Sequence, residues 1–222
     1  MKFFFALVFS LLVASRLCAT TQMPESLVYN NTGYYLFNTP LKPYFKEHPG
    51  KRPRGMPSTD LYRNYITHFE IKDKQLYITK ILARKSWSGD NPWTNVIHSV
   101  FSGEAPVKAD WMNAVLVMTS DRDVYSYCVG DTMIKKGDCI VLEITDGKLT
   151  QERQLNQETY QAFYKAQFEA FQKTDDYQAA VKAKKDEDRK RGATDDDIEK
   201  RDYGLRIYHE LFDHMTKILD TE

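Results

Sequence analysis

Tyr62-Arg63-Asn64-Tyr65-Ile66-Thr67-His68-Phe69-Glu70-Ile71, then Lys72-Asp73-Lys74, then Gln75-Leu76-Tyr77-Ile78-Thr79-Lys80-Ile81 is the stretch that decides the fold. Both arms are rich in Tyr, Ile, Thr and Phe, which suit a pleated, half-buried surface. A strand turns successive side chains to opposite faces. Tyr65, Thr67, Phe69 and Ile71 therefore share one face, and Ile66, His68 and Glu70 the other. The stretch predicts an antiparallel strand pair over residues 62–71 and 75–81.

Similar runs lie on both sides. Residues 27–29 and 34–37 flank Asn30-Asn31-Thr32-Gly33, and residues 139–145 and 148–153 close around Asp146-Gly147, a strong hairpin signal. Residues 111–118 and 124–129 read as two further strands about the polar turn Ser120-Asp121-Arg122-Asp123. Residues 40–57, dense in Pro and Gly, read as a loop. Runs of strands with short connections predict a mainly antiparallel sheet over residues 24–155, curled or doubled into a sandwich- or barrel-like shape.

After Asn156 the period lengthens. Tyr160, Phe163, Tyr164, Phe168 and Phe171 fall at helical spacing, predicting an amphipathic helix over 158–173 that packs on the sheet. Thr174-Asp175-Asp176 opens a second helix, ended by Gly192, whose 182–191 segment has no apolar face and reads as solvated. Thr194 followed by three Asp opens a third helix with an apolar stripe running to the chain end, and His209 and His214 read as surface residues on it. The stripe is expected to fold back within the chain. The fold class is α+β: a strand domain over 24–155 and a helical C-terminal region over 156–222.

The N-terminus carries Lys2, an apolar run from Phe3 to Ala14 broken by Ser10, and Cys18-Ala19-Thr20. That pattern predicts a secretory signal peptide over residues 1–19 and a periplasmic or extracellular protein. No later run is apolar enough to anchor in a bilayer, which needs roughly 20 such residues. Among 222 residues, 31 Lys and Arg balance 31 Asp and Glu, so charge suggests no nucleic-acid partner. The 14 Tyr and 12 Phe favour a sheet over a loose bundle. Two cysteines remain after residue 19, and the oxidising compartment predicts a Cys128–Cys139 disulfide.

Leu61-Tyr62-Arg63-Asn64-Tyr65-Ile66-Thr67-His68-Phe69-Glu70-Ile71-Lys72-Asp73-Lys74-Gln75-Leu76-Tyr77 resembles a group of exported bacterial proteins of unknown function. Their recurring pattern is roughly W-R-G-Y-x-A-x-W-x-I-x-D-x-K-L-Y-L. Arg63, Tyr65, Glu70, Ile71, Asp73, Leu76 and Tyr77 match as they stand, while Tyr62, Asn64 and Phe69 replace the group's Trp, Gly and Trp. The resemblance implies a β-rich exported domain over about 27–153 and no particular activity. The helical region is a departure from the pattern.

Catalytic signatures such as G-x-S-x-G, P-loops, dinucleotide fingerprints and H-E-x-x-H are absent from the sequence. Arg63, His68 and Glu70 could line a polar pocket, but no third ligand is marked, so neither a metal nor a cofactor is expected. Asp110-Trp111 would present a carboxylate beside an aromatic platform, as sugar- and peptide-binding clefts do, and Trp87 and Trp93 sit in an expected loop. These residues point first to a non-catalytic binding or interaction protein, its partner a protein or a small polar ligand. A hydrolase using dispersed carboxylates such as Glu70 and Asp110 is a second reading, and an immunity- or inhibitor-type protein a third.

Overall fold

The computed structural model describes residues 22–86, 91–121 and 138–221. The expected signal peptide, Trp87, Cys128 and the expected strand 124–129 lie outside the described residues. Within them run strands β1 (Glu25–Tyr29), β2 (Thr32–Leu36), β3 (Tyr65–Lys72), β4 (Gln75–Arg84), β5 (Trp93–Asn95), β6 (Val107–Lys108), β7 (Ala114–Thr119), β8 (Cys139–Thr145) and β9 (Lys148–Leu155). In the order β3-β1-β2-β7-β8-β9-β4, with β4 pairing back onto β3, seven strands close a barrel. β5 and β6 add to β4. The pairings are antiparallel except for β1 with β3.

Three hairpin tips have two successive residues at positive φ: Asn30 and Asn31, Asp73 and Lys74, Asp146 and Gly147. This turn geometry matches the twist of the flanking strands. At Gly147 a Cβ would also stand 2.3 Å from the Ala109 carbonyl oxygen, so close approach and backbone angle both demand glycine. Asn64 has φ 68°, and β3 accordingly begins at Tyr65 instead of residue 62.

The alternation along β3 is as expected: Tyr65, Thr67, Phe69 and Ile71 are buried, and Ile66, His68 and Glu70 only partly so. Leu27, Leu36, Leu76, Ile78, Leu116 and Leu142 join them in the barrel interior. Two short helices, α1 (Lys42–Glu47) and α2 (Ile97–Val100), add Phe45, Ile97 and Val100 to the same cluster. α1 lies in the stretch read as a loop. Pro43 is tolerated because it falls in the first turn, where its missing N–H would have no helical partner. The expected strand at 111–118 starts at Ala114, leaving Trp111 in a turn.

Helices α3 (Gln157–Phe171), α4 (Asp175–Lys190), α5 (Asp195–Glu199), α6 (Tyr203–His209) and α7 (Leu211–His214) form a layer on the outer side of β7 and β8. Tyr160, Phe163, Tyr164, Ile207, Leu211 and Phe212 cluster there with Val115, Val117 and Val141. β7 is thus buried on both faces, which is why it reads as the unbroken apolar run Ala114-Val115-Leu116-Val117-Met118. The stripe folds back within the chain, apart from Leu205, which is exposed. The third helix is not continuous. The Asp202 side chain caps a new start by accepting from Leu205 N–H, so α5 stops and α6 begins.

The 182–191 segment is not solvated throughout. Lys184 and Asp188 are buried, and Lys184 Nζ donates to Glu210 Oε1 at 2.8 Å. Asp188 Oδ2 accepts from the Tyr203 hydroxyl at 2.9 Å and from Arg206 at 2.5 Å, and Arg201 stands 2.6 Å away. His214 is likewise not a surface residue: its side chain is largely buried, 3.9 Å from Glu210. Two further polar side chains hold the end of the chain. Glu143 accepts from Ile218 N–H at 2.7 Å, and the Gln167 amide both donates to and accepts from the Leu219 backbone at 2.8 Å. No helix among the described residues is long and apolar enough to cross a membrane.

Candidate functional site

The five residues singled out from the sequence fall into three places. Arg63, just before β3, turns to the buried Glu25 on β1, with Nε 2.8 Å from Oε1, and also donates to the Met23 carbonyl. Glu25 accepts the Thr67 backbone N–H as well. Burial pushes the Glu25 carboxyl up from its ordinary range, against the pull of Arg63. This pair ties β1 to β3 where they run parallel. Arg63 is a structural residue.

His68 sits on the outer face of β3, opposite Ser26 of β1, whose hydroxyl lies 2.6 Å from Nδ1. Burial, then Lys80 on the neighbouring strand, lowers the imidazole pKa from its ordinary value, so the ring is neutral at pH 7. Glu70, two residues on, shares that face and stands in register with Tyr77 of β4, which in turn faces Lys108 of β6. Asp110 follows, exposed, with Oδ2 3.9 Å from Lys108 Nζ. Tyr77 and Lys108 therefore stand between Glu70 and Asp110, and the two carboxylates do not converge. Among the described residues no three His, Cys, Asp or Glu side chains gather as a metal site requires.

Trp111 is different. The residue remains 42% exposed although its ring packs on others. The indole lies 5.0 Å from the Tyr44 ring at 33° and 6.1 Å from Phe101 at 32°, and His48 continues the row, 4.6 Å from Tyr44. The row is built from the inside. Phe45, the neighbour of Tyr44 on α1, points into the core against Tyr65 at 4.9 Å and anchors the helix, so Tyr44 is held outward. Phe101, buried at the end of α2, backs both outer rings. Tight packing from below fixes the indole orientation, so a ligand meeting its open face orders few side chains. Asp110, the chain neighbour of Trp111, is exposed, with its carboxylate 3.9 Å from the Lys108 ammonium. The sequence marks Trp111 and Asp110, while Tyr44 and His48 lie in the Pro- and Gly-dense stretch 40–57, where nothing local signals a helix, and Phe101 carries no local signal of its own.

Trp93 is partly exposed on β5, with the Arg84 guanidinium 4.9 Å from its ring. A separate cleft of about 400 Å³ opens between the tips of the β1–β2 and β3–β4 hairpins and β9, and none of the five residues lines it.

A closed mixed β-barrel buttressed by a helical layer, with an aromatic row on its surface, defines the class of protein. Comparison with protein-family models, with curated proteins and with solved structures finds no match for this chain.

Proposed function

We propose that this is a non-catalytic binding protein that works outside the cytoplasm and recognises its ligand on the Trp111 face. The carrying observation is the exposed indole held against Tyr44 and Phe101, with the exposed Asp110 next to it in the chain. Large rigid aromatics left exposed beside a few polar groups suit recognition: the ring face supplies contact area, and the polar groups fix orientation. The N-terminal segment, with its short apolar run and small residue at position 19, supports export. A Cys128–Cys139 disulfide belongs to this reading, with Cys139 buried at the start of β8. Two titratable thiols in the denatured, unreduced mature protein would overturn the disulfide.

Screening glycans and short peptides by intrinsic fluorescence tests the ligand reading, since a molecule over the indole changes its emission. Trp111→Ala should abolish binding and leave the circular dichroism unchanged. Hydrolysis of the ligand by the wild type, lost in Glu70→Gln and Asp110→Asn, would overturn the reading in favour of a hydrolase.

A further inference from the structure

β9 is paired along its whole length on one side only. Its other edge meets β4 at a single register pair, Gln75 with Lys148, and Leu149 N–H donates to the Lys74 carbonyl at 2.8 Å. Beyond that point β9 runs past the tip of the β3–β4 hairpin. From residue 150 to 154 it has no second strand among the described residues. Among the described residues the N–H and C=O groups of alternate residues on this edge have no backbone partner, and such an edge is a template for one more strand. The side chains here, Thr150, Gln151, Glu152, Arg153 and Gln154, are all exposed. Polar side chains discourage indiscriminate aggregation and leave the backbone accessible.

The cleft of about 400 Å³ lies beside this edge. Tyr29, Ile71 and Leu149 belong to the barrel cluster and give it an apolar wall, and Glu152 and Asp73 bring carboxylates. Glu152 accepts from the Tyr29 hydroxyl at 2.7 Å and from the Gln154 amide at 3.4 Å. Neither carboxylate has an ion-pair partner among the described residues, although Lys74 also lines the cleft. The Glu152 hydrogen bond raises the Tyr29 pKa further, beyond the effect of burial, so the hydroxyl stays a donor and holds the carboxylate in place.

We propose that the open edge of β9 takes up an extended peptide as an added strand, with a Lys or Arg side chain of that peptide seated in the adjoining cleft. Backbone pairing supplies the affinity and the side-chain cleft the selectivity, as in strand addition generally. A long basic side chain fits both parts of the cleft: its methylene stem lies on Tyr29 and Leu149, and its charged end meets Glu152 and Asp73. This site is distinct from the Trp111 face and does not depend on it.

The test is selection of displayed random peptides of about a dozen residues on the purified full chain, long enough to cover an average strand. Selected peptides should share a Lys or Arg among β-forming residues. The bound peptide should slow hydrogen exchange of the amides in residues 150–154, and methylating its alternate backbone nitrogens should abolish binding. Glu152→Lys should weaken it at least about tenfold, the loss expected when a desolvated charge pair becomes a repulsion, while Trp111→Ala leaves it unchanged. Failure to select any peptide overturns the proposal. So does a selected peptide that protects another surface, or one that binds equally well when N-methylated. Binding unaffected by Glu152→Lys but lost on N-methylation would overturn the basic-residue assignment.

Discussion

The barrel and the helical layer are held by different chemistry. The barrel interior is almost wholly apolar: Leu27, Phe69, Ile78, Leu116 and Leu142 fill it, and strand ladders join its staves, with the β9 edge over 150–154 left open. The helical layer shares the outer faces of β7 and β8, but its outer parts are fastened by polar side chains, Lys184, Asp188, Glu210, Glu143 and Gln167. Apolar contact tolerates small shifts, whereas these groups must find particular partners or lose hydration without return. The layer's position is therefore defined more sharply than its apolar stripe alone would require.

The severest way to break the comparison is to remove α5, α6 and α7, the C-terminal part of the layer. Ending the chain after Ala193 deletes Ile207, Leu211, Phe212, Met215 and Ile218, all buried, and bares Val115, Val117 and Val141 on the barrel. The truncated protein should melt well below the full chain and self-associate through the bared valines, as scanning calorimetry and light scattering would show. A barrel that kept its melting temperature would mean that α5 to α7 are only an attachment. Next in size is Leu116→Ala. Leu116 is fully buried inside the barrel, so the change should cost about 3 to 5 kcal/mol by denaturant titration. Because β7 carries both clusters, barrel and helix signals should be lost in one transition.

The barrel was legible because its code is local. Period-2 runs, Asn-Asn and Asp-Gly turns and apolar density each act within a few residues, and they located β1, β2, β3, β4, β8 and β9. Closure was not legible, since it rests on the parallel β1–β3 pairing and the one register pair between β4 and β9. The same limit applies in the layer. Lys184 and Asp188 look like surface charges in a run of Lys, Asp, Glu and Arg, and nothing local marks their partners some 20 residues away. Trp111 and Asp110 were legible as a pair of chemical types. The backing of Trp111 by Tyr44 depends on a short helix that a Pro-rich stretch conceals.

A smaller effect is expected where the layer meets α1. Glu210 stands 2.6 Å from Lys42 and 2.8 Å from Lys184, and Asp213 is 3.1 Å from Lys42. Burial alone would raise the Glu210 pKa, but Lys42 and Lys184 outweigh it and hold the carboxyl at about 2. A folded pKa below the unfolded one stabilises the fold above the unfolded value. That stability is lost as pH falls from about 4.5 towards 2. Glu210→Gln should lower stability by about 1 to 3 kcal/mol at pH 7, because two ammonium groups lose their shared counter-charge. The variant should also show a shallower loss of stability below pH 4.5 than the wild type does. Equal acid slopes for the two proteins would break the assignment.

The smallest effect should come from an ion pair of similar length in a different setting. Lys200 Nζ lies 2.5 Å from Asp196 Oδ2, as close as any contact in the Glu210 group, and the two residues are spaced i, i+4 at the edge of the layer. Both side chains are 71% exposed. Water solvates each ion nearly as well apart as together, salt screens the attraction, and holding two long side chains in one geometry costs entropy. Asp196 also sits in the first turn of α5, where the helix dipole favours its charge whether or not Lys200 is present. Lys200→Ala should therefore change stability by less than about 0.5 kcal/mol, within the range measured for exposed helical pairs. A loss as large as that of Glu210→Gln would show that exposure does not separate the two groups, and that the layer is fastened along its rim as firmly as at its seat on the barrel.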